Sequence, residues 1–280
     1  KRTEKFGGFE IEDGEYQLKQ IWLADFNPTQ LNYRLRPDQL KDTVYTKTQE
    51  AKIIMDSVPF SINGFKWSPD GRKIAFEHQP DPLINSFFKA DISIYDIAAK
   101  TYKTLVNNTS YDGLVDWSPE GDAILYQSNL RDSTSNYYLN RKLFRINTDG
   151  SQNKQLASDF DENIYGLKWT QNGIFGMAWQ KTLRPVIRIN PVNGNTKVLA
   201  FRAKIICNIC FSIDVYKIAY EACNDIDFSE IYICFYQFKY SIKFNYSTKK
   251  LNDWSVAISD VVSWKRKDGT LIEGVLHKPQ

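Results

Sequence analysis

The amino-acid sequence predicts an all-β fold made of repeated four-stranded units. Three features support this prediction: a high content of aromatic residues, a turn motif that recurs along the chain, and a second hairpin at a fixed spacing. Aromatic residues make up 14% of the 280 residues, with 17 Phe, 16 Tyr and 7 Trp. Such side chains favour strands over helices, and a chain of this length can bury a large core.

The first repeated element is a turn between two short strands. It occurs as GFKWSPDGRKIAFEH at 64–78, GLVDWSPEGDAILYQ at 113–127 and GLKWTQNGIFGMAWQ at 166–180, with a degenerate copy, NICFSIDVYKIAYEA, at 208–222. The aligned aromatic residues are Trp67, Trp117, Trp169 and Phe211, at intervals of 50, 52 and 42 residues. A repeat of this length indicates one supersecondary unit per copy.

The chemistry of the turn explains its sequence. Pro69 fixes φ, Asp70 accepts a hydrogen bond from its own backbone, and Gly71 (Gly121 in the second copy) stands where φ is expected to be positive. Apolar residues then return at alternate positions, as in Ile74 and Phe76, which is the period of a strand.

A second hairpin follows the first turn in each complete unit. Its copies are IWLADFNPTQLNYRL (21–35), ISIYDIAAKTYKTL (92–105), LFRINTDGSQNKQL (143–156) and VIRINPVNGNTKVL (186–199). The spacing from the Asp or Asn to the closing Leu is 10 residues in the first copy and 9 in the other three. Two hairpins within about 40 to 50 residues make a four-stranded propeller blade.

The repeat therefore predicts a β-propeller, because no unit has a helical period. About five blades are visible: a partial one at 1–36 and four more at 64–107, 113–158, 166–200 and 205–250. We interpret residues 37–63 as an insertion or an eroded strand. Ring closure then requires further blades upstream of Lys1 or one within 37–63. Open strand edges predict concentration-dependent association.

Two segments carry a family resemblance. WSPDGRKIAFEHQPDPLINSFFKADISIYDI (67–97) and WKRKDGTLIEGVLHKP (264–279) resemble the prolyl oligopeptidase family of serine peptidases, especially its dipeptidyl-peptidase-like and acylaminoacyl-peptidase-like branch. In that family a propeller of seven or eight blades precedes an α/β-hydrolase domain, which opens on a strand pair with a recognisable pattern. The matching residues here are Trp264, Asp268, Gly269, Ile272, Gly274, Leu276 and Pro279. The resemblance implies an N-terminally incomplete propeller over 1–258 and the first strands of a truncated hydrolase domain over 259–280.

The resemblance also implies a function for the whole protein. It would hydrolyse short peptides through a serine acyl-enzyme, and the propeller would restrict access to the active site without taking part in the chemistry. The partners would be an oligopeptide substrate, the protein's own C-terminal hydrolase domain and possible further copies of the chain. No metal or organic cofactor is implied. Exported relatives in this branch favour a periplasmic or secreted location over a cytoplasmic one.

The chain itself lacks a predicted catalytic triad. The Gly-x-Ser-x-Gly turn that carries the nucleophile in such hydrolases is absent from the sequence. Only two histidines could serve as a general base, His78 and His277. We predict no catalytic residue within these 280 residues, so whether the chain belongs to an enzyme depends on residues beyond Gln280. The alternatives are a stand-alone periplasmic binding or scaffold propeller and the propeller of a pseudo-enzyme.

Candidate binding residues lie in the loops. Asp161 and Glu162 are candidates for holding the amino group of a substrate, because acidic pairs in the dipeptidyl-peptidase branch do so through charge-assisted bonds. Arg131 and Arg141 flank an aromatic and polar insertion, and with His78 they are candidates for a pore or mouth. A solvated acidic loop and exposed loop tips without a role are the competing interpretations.

Four cysteines, Cys207, Cys210, Cys223 and Cys234, leave three alternatives open. They could form a zinc site, a Cys223–Cys234 disulfide, or buried free thiols, and packing as small apolar residues is the favoured interpretation. The net charge of +3 is too small to indicate nucleic-acid binding. No run of about 18 apolar residues predicts a membrane span.

Overall fold

The computed structural model describes residues 16–25, 51–129, 140–212, 216–224, 228–235, 240–244, 247–251 and 253–279. These residues form four antiparallel four-stranded sheets and two two-stranded ones. Each four-stranded sheet is a meander in which neighbouring strands follow one another along the chain, as in a propeller blade. The all-β prediction and the four complete blades are therefore confirmed. No helix within the described ranges is long and apolar enough to cross a membrane.

The strands are numbered in chain order. A first short sheet pairs β1 (Trp22–Leu23) with β2 (Lys52–Ile53). Blade 1 contains β3 (Ser61–Trp67), β4 (Lys73–Gln79), β5 (Asp91–Asp96) and β6 (Thr101–Val106). Blade 2 contains β7 (Asp112–Trp117), β8 (Ala123–Ser128), β9 (Lys142–Asn147) and β10 (Lys154–Leu156).

The remaining strands complete the chain. Blade 3 contains β11 (Tyr165–Thr170), β12 (Gly173–Met177), β13 (Val186–Ile189) and β14 (Thr196–Leu199). Blade 4 contains β15 (Ile205–Phe211), β16 (Lys217–Cys223), β17 (Glu230–Phe235) and β18 (Ser241–Phe244). A terminal hairpin pairs β19 (Ile258–Lys265) with β20 (Leu271–Lys278). Two 3₁₀ helices cover Ile84–Lys89 and Thr248–Leu251.

The start of the chain is only partly described. The predicted hairpin at 21–35 extends beyond Asp25 into residues outside the described ranges. Within 37–63, the described part contains β2 and the beginning of β3. The backbone N–H of Ile54 donates to the carbonyl of Ile21, so this segment pairs with the first described residues and adds a short sheet beside blade 1.

The repeated turn has the predicted geometry. Gly71 and Gly121 adopt φ of 70° and 74°. The Asp70 carboxylate accepts hydrogen bonds from the Ser68 hydroxyl at 2.7 Å and from the Arg72 backbone N–H at 3.1 Å. These bonds close the corner between β3 and β4, which explains why this sequence recurs where an inner strand turns back.

The apolar core lies between blades. Successive residues of a strand point to opposite faces of its sheet, and in β4 Ile74 and Phe76 pack with Phe60 while Ala75 packs towards blade 2. The same alternation in β8 sends Ile124 back to blade 1 and Leu125 forward to blade 3. Blades 1, 2 and 3 therefore each contribute to two different cores, one on each side.

The aligned aromatic residues connect the blades. Trp117 and Trp169 are buried, at 3% and 7% exposed, while Trp67 is 44% exposed. The Trp117 indole Nε1–H donates to the carbonyl of Lys66 at 3.0 Å, and so joins blade 2 to blade 1. Phe211 is partly buried against the core between blades 3 and 4. The motif residue thus packs mainly against the preceding blade.

The meander gives each blade two ends. The turns within the hairpins of blades 1 to 3 lie at one end, which we call the turn face. At the other end, the loop face, lie the loops 80–90 and 178–185 and the described residues Asn129, Asn140, Arg141, Asn224, Phe228 and Ser229. The connections between blades, 107–111, 157–164 and 200–204, lie at the same end because the fourth strand of each meander ends there.

Candidate functional site

The loop face between blades 2 and 3 brings two candidate residues together. Arg141 and Glu162 line the same small cleft, which also contains Gln127 and Phe160. Two hydrogen bonds hold its walls: Arg141 N–H donates to Asn163 Oδ1 at 2.8 Å, and Asn140 Nδ2 donates to the carbonyl of Asp161 at 2.9 Å. Asp161 and Glu162 are both exposed. The cleft encloses only about 10 Å³, room for about one water molecule, so a peptide would contact Arg141 and Glu162 from outside it.

Repeat-equivalent residues link neighbouring blades at the loop face, and one of them, Gln127, lines this cleft. Glu77 and Gln127 stand ten residues after Trp67 and Trp117, respectively. The Glu77 carboxylate accepts a hydrogen bond from the backbone N–H of Leu114 at 3.1 Å, and Gln127 Nε2 donates to the carbonyl of Ile164 at 3.0 Å. Each side chain therefore attaches its blade to the next one at the loop face.

Arg141 lies over an aromatic ring in the same region. Its Cζ is 4.8 Å from the centroid of the Tyr111 ring, a cation–π contact. Burial raises the pKa of Glu77, and the hydrogen bonds from Leu114 and Asn63 and the charge of Arg141 oppose the increase. Burial, followed by the charge of Glu77, raises the pKa of the Tyr111 phenol. This group is a polar, charged patch with restricted access to water.

A second cluster on the loop face surrounds Arg184. Its Cζ lies 5.9 Å from the ring centroid of Tyr165 and 5.8 Å from that of Trp179, and both aromatic residues are about half exposed. Arg184 Nε is buried without a hydrogen-bond partner. Trp179 stands two residues after Met177, which is the ladder position equivalent to Glu77 and Gln127 because the turn of blade 3 is two residues shorter.

The terminal hairpin contacts the same face. Lys181, in the loop 178–185, donates to Glu273 Oε1 of β20 at 2.5 Å. Trp264 packs over Gly274, where a Cβ would lie 3.3 Å from its ring. Asp268 accepts a hydrogen bond from the Thr270 backbone N–H, and Gly269 has a φ of 86°, so the predicted turn forms. Both faces of the hairpin expose large apolar side chains: Ile258, Val261, Val262, Trp264, Leu271, Val275 and Leu276.

Neither histidine is among the residues that line the cleft. His78 is 8% exposed, stacks on Phe60 at 4.2 Å between centroids, and its Nε2 is 2.8 Å from Ser93 Oγ. Burial lowers the pKa of His78 to about 4. Its imidazole is thus a neutral core group, and the interpretation as a mouth residue has no support from this placement.

His277 also contacts a serine. Its Nδ1 is 2.7 Å from Ser259 Oγ, across the exposed β19–β20 ladder. In neither Ser–His pair does a carboxylate bond the imidazole among the residues that the structure describes, and both serines lie on regular strands. The pairs are cross-strand hydrogen bonds, because a triad needs an orienting acid and a nucleophile on an exposed turn. Arg131 lies outside the described residues.

The cysteines do not form the predicted alternative pair. Cys234 is opposite Ile218 in the β16–β17 ladder, whereas Cys223 lies beyond the other end of that ladder, opposite Ile205 in β15. A Cys223–Cys234 disulfide cannot form across this separation. All four cysteines are free thiols. No group of three or more His, Cys, Asp or Glu side chains in the described part of the chain has the arrangement of a metal site.

Sequence reasoning missed Glu77, Tyr111, Arg184 and the Lys181–Glu273 pair. Glu77 and Gln127 had one available signal, because they share a position in the repeat. Arg184 and Lys181 had none, since the loop 178–185 has no repeated pattern. The contacts of these residues depend on which loops meet at one end of the blades, and that information is not local in the sequence.

Comparisons with known proteins give relatives of one main kind. No family model matches the chain. A dipeptidyl-peptidase 5 from Porphyromonas gingivalis is 25% identical over 154 residues, which are 48% of this chain and 22% of that protein. A puromycin hydrolase structure superposes with a TM-score of 0.58 at 13% identity, covering 81% of this chain and 35% of the other.

The structural likeness extends beyond peptidases. An oligogalacturonate lyase solved with manganese superposes with a TM-score of 0.55 at 9% identity, covering 82% of this chain and 69% of that one. Identities this low establish the fold alone. The chain spans 22% of the dipeptidyl-peptidase and 35% of the puromycin hydrolase. The sequence relative, together with the terminal hairpin, favours the peptidase type of propeller.

Proposed function

We propose that this chain, which carries the propeller of a prolyl oligopeptidase-type peptidase, covers the active site of a serine peptidase and admits only short peptides to it. The sequence relationship to a dipeptidyl-peptidase supports an association with peptidases. The substrate-restricting role and the activity of the whole protein belong to this proposal. So does the division into a propeller over 1–258 and a hydrolase domain that begins at 259.

The terminal hairpin is the observation that carries the proposal. An isolated two-stranded sheet is marginally stable in water, yet β19 and β20 pair over eight residues each and expose apolar side chains on both faces. Such a ribbon needs a partner layer to bury it. We assign that layer to the hydrolase domain whose opening motif this segment resembles.

The hairpin also indicates which end of the propeller would meet the catalytic domain. Its Glu273 is bonded to Lys181 in a loop on the loop face, the same end that carries Arg141, Glu162 and Arg184. A catalytic domain attached there would face these side chains across a water-filled space. Folded proteins would be excluded by size, and short peptides would be held by their charged ends.

Within this proposal, Glu162 contacts the amino group of the peptide and Arg141 contacts a carboxylate or carbonyl oxygen. Asp161 contributes its carbonyl to the cleft wall through Asn140, while its exposed carboxylate adds negative charge for the same amino group. Relatives of this type favour an exported location, which cell fractionation with an antibody against the chain would test.

The first test is labelling of the native full-length protein with a fluorophosphonate probe. A labelled species heavier than the 32.5 kDa of this chain, with the isolated chain unlabelled, supports the proposal. An unlabelled native protein that continues past Gln280 indicates a pseudo-enzyme. A native protein that ends near Gln280 supports a stand-alone binding propeller, and the peptidase proposal is then wrong.

The second test measures kinetics of the full-length enzyme with Glu162→Gln. For peptides with a free amino terminus we expect KM to rise about tenfold, because a charge-assisted hydrogen bond contributes about 1.5 kcal/mol. N-acetylated peptides should show no such change. Glu120→Gln is the matched control, since Glu120 is exposed on the turn face at the opposite end of blade 2. Equal effects of both variants would contradict the assignment of the cleft.

A further inference from the structure

One fully buried and one partly buried carboxylate lie at the loop-face end of the interface between blades 1 and 2. Asp112, the first residue of β7, is 0% exposed, and neither of its carboxylate oxygens has a hydrogen-bond partner. Asp91, the first residue of β5, has a buried Oδ1 that is also unpartnered. Buried polar groups are almost always hydrogen-bonded, and an exception commonly marks an ion or water at that place.

The strand register brings the two carboxylates to one interface. Asp112 and Leu114 lie on the same face of β7, and Leu114 packs into the core shared with blade 1. The backbone N–H of Asp112 donates to the carbonyl of Ala90, next to Asp91, at 2.9 Å. Burial is the main cause of the raised pKa of Asp112, and repulsion by Asp91 and by Glu77 adds to it. Both groups therefore belong to one site.

Further oxygen atoms surround the carboxylates. Ser128 is directly opposite Asp112 in the β7–β8 ladder, and its hydroxyl is 3.0 Å from Ser110 Oγ. Ser110 in turn donates to Asn108 Oδ1 at 2.7 Å. Ser128 and Asn108 are near enough to lower the pKa of Asp112, but neither reaches its carboxylate in hydrogen-bond geometry.

Charge compensation is missing at this site. In the described part of the chain, no Lys, Arg or His forms an ion pair with Asp91 or Asp112. Arg141 acts on Glu77 and Tyr111 nearby, and His78, opposite Asp91 in register, turns its imidazole to Ser93. Burying an ionised carboxylate without a partner is costly. A bound cation would remove that cost and satisfy the orphaned oxygens.

We propose that Asp91 and Asp112, with the hydroxyl of Ser128, form a binding site for one calcium ion between blades 1 and 2. Calcium binds carboxylate and other oxygen ligands in flexible geometry, whereas magnesium demands near-ideal octahedral geometry. The ion would fasten two blades at the face where the proposed substrate cleft lies. The proposal does not depend on the peptidase function.

The test is calorimetric titration of the full chain, treated with EDTA and then dialysed, with calcium chloride at pH 8. We expect one calcium ion per chain in the wild type and at least tenfold weaker binding in Asp112→Asn and in Ser128→Ala. The Ser128→Ala variant keeps both carboxylates, so its weaker binding cannot be attributed to a folding defect of Asp112→Asn. Glu120→Gln, on the turn face, should bind as the wild type does.

Absence of binding to the wild type at millimolar calcium, or equal binding by wild type and Asp112→Asn, would overturn the proposal. Sodium chloride at matched ionic strength should not replace calcium.

Discussion

Blade 1 and blade 4 have the same strand register but different surroundings on the side that faces the next blade. In blade 1, Glu77 is opposite Ile92, which is 0% exposed. In blade 4, the equivalent Glu221 is opposite Ile231, which is 58% exposed. The next strand repeats the contrast, with Val106 at 5% and Phe244 at 36%. The sequence therefore encodes an apolar face in both blades, and only the first is covered.

This difference shows that a blade of this protein carries apolar residues for burial on both of its faces. Ile231, Ile242 and Phe244 are apolar although water reaches them, and none of them belongs to a core cluster of the described residues. Exposed apolar patches of this kind mark interaction surfaces. A further blade is the occupant that the other three interfaces would suggest for this face.

The largest expected effect comes from truncating the covered residue. Ile92→Ala should lower the free energy of unfolding by about 2–5 kcal/mol, because it leaves a cavity between blades 1 and 2. Ile231→Ala should change it by less than about 1 kcal/mol, since its side chain is already hydrated. Chemical unfolding of both variants measures the contrast.

Equal destabilisation by the two variants would show that blade 4 is covered in solution. Light scattering over a wide concentration range distinguishes the two possible covers. If a second copy of the chain provides it, Ile231→Lys should reduce association. A wild type that stays monomeric throughout would instead contradict the prediction of association through an open face.

The other side of blade 1 can be examined through His78, which the segment ending at Phe60 covers. The folded-state pKa of about 4 lies below the unfolded value of about 6.5. The neutral imidazole therefore contributes stability that is present above pH 6.5 and is lost as the pH falls towards 4. Relative to His78→Gln, the wild type should lose about 1–3 kcal/mol over this interval.

The comparison of the wild type with His78→Gln cancels the contribution of Asp112, which both proteins contain. The raised pKa of Asp112 makes stability rise, rather than fall, as the pH is lowered. His277→Gln is the control, because His277 is exposed on the terminal hairpin. A pH dependence of stability that is the same in wild type and His78→Gln would show that the segment before β3 does not cover the imidazole in solution.

A smaller effect should distinguish two tryptophans of the repeat. Trp117→Phe removes the indole bond to the Lys66 carbonyl and should cost about 1–2 kcal/mol of unfolding free energy. Trp67→Phe should cost about 0.5 kcal/mol or less, because Trp67 is 44% exposed. Thermal unfolding of the two variants suffices. A larger loss for Trp67→Phe than for Trp117→Phe would show that the Trp67 indole is covered in solution.

The smallest expected effect concerns the terminal hairpin. Lys181→Ala removes a half-exposed ion pair with Glu273, and such pairs contribute about 0–1 kcal/mol. Amide exchange should accelerate in 258–278 while the blades keep their protection. Lys197→Ala, on the exposed strand β14, is the control. Unchanged exchange in the hairpin would indicate that another contact positions it.

The repeat allowed the four blades to be predicted because each hairpin is specified locally, by Pro69 and Gly71 in the turn and by alternating apolar residues after it. The short sheet of β1 and β2 escaped prediction, since 28 residues lie between Leu23 and Lys52. In the candidate site, Arg141 and Glu162 were singled out, but their shared cleft was not foreseen. The burial of His78 depends on Phe60, a residue outside the repeat, and was therefore not visible in the pattern.

Sharing each core between neighbours also affects how the protein folds during synthesis. Blade 2 cannot bury Leu125 until Trp169 and Ile174 of blade 3 have left the ribosome. A newly synthesised blade therefore exposes an apolar face until the next blade packs against it. The blades assemble one after another from the N-terminal side. Pauses in translation are safest just after a blade has covered its predecessor. Ribosome-bound chaperones would stay bound longest to the apolar face that contains Ile231.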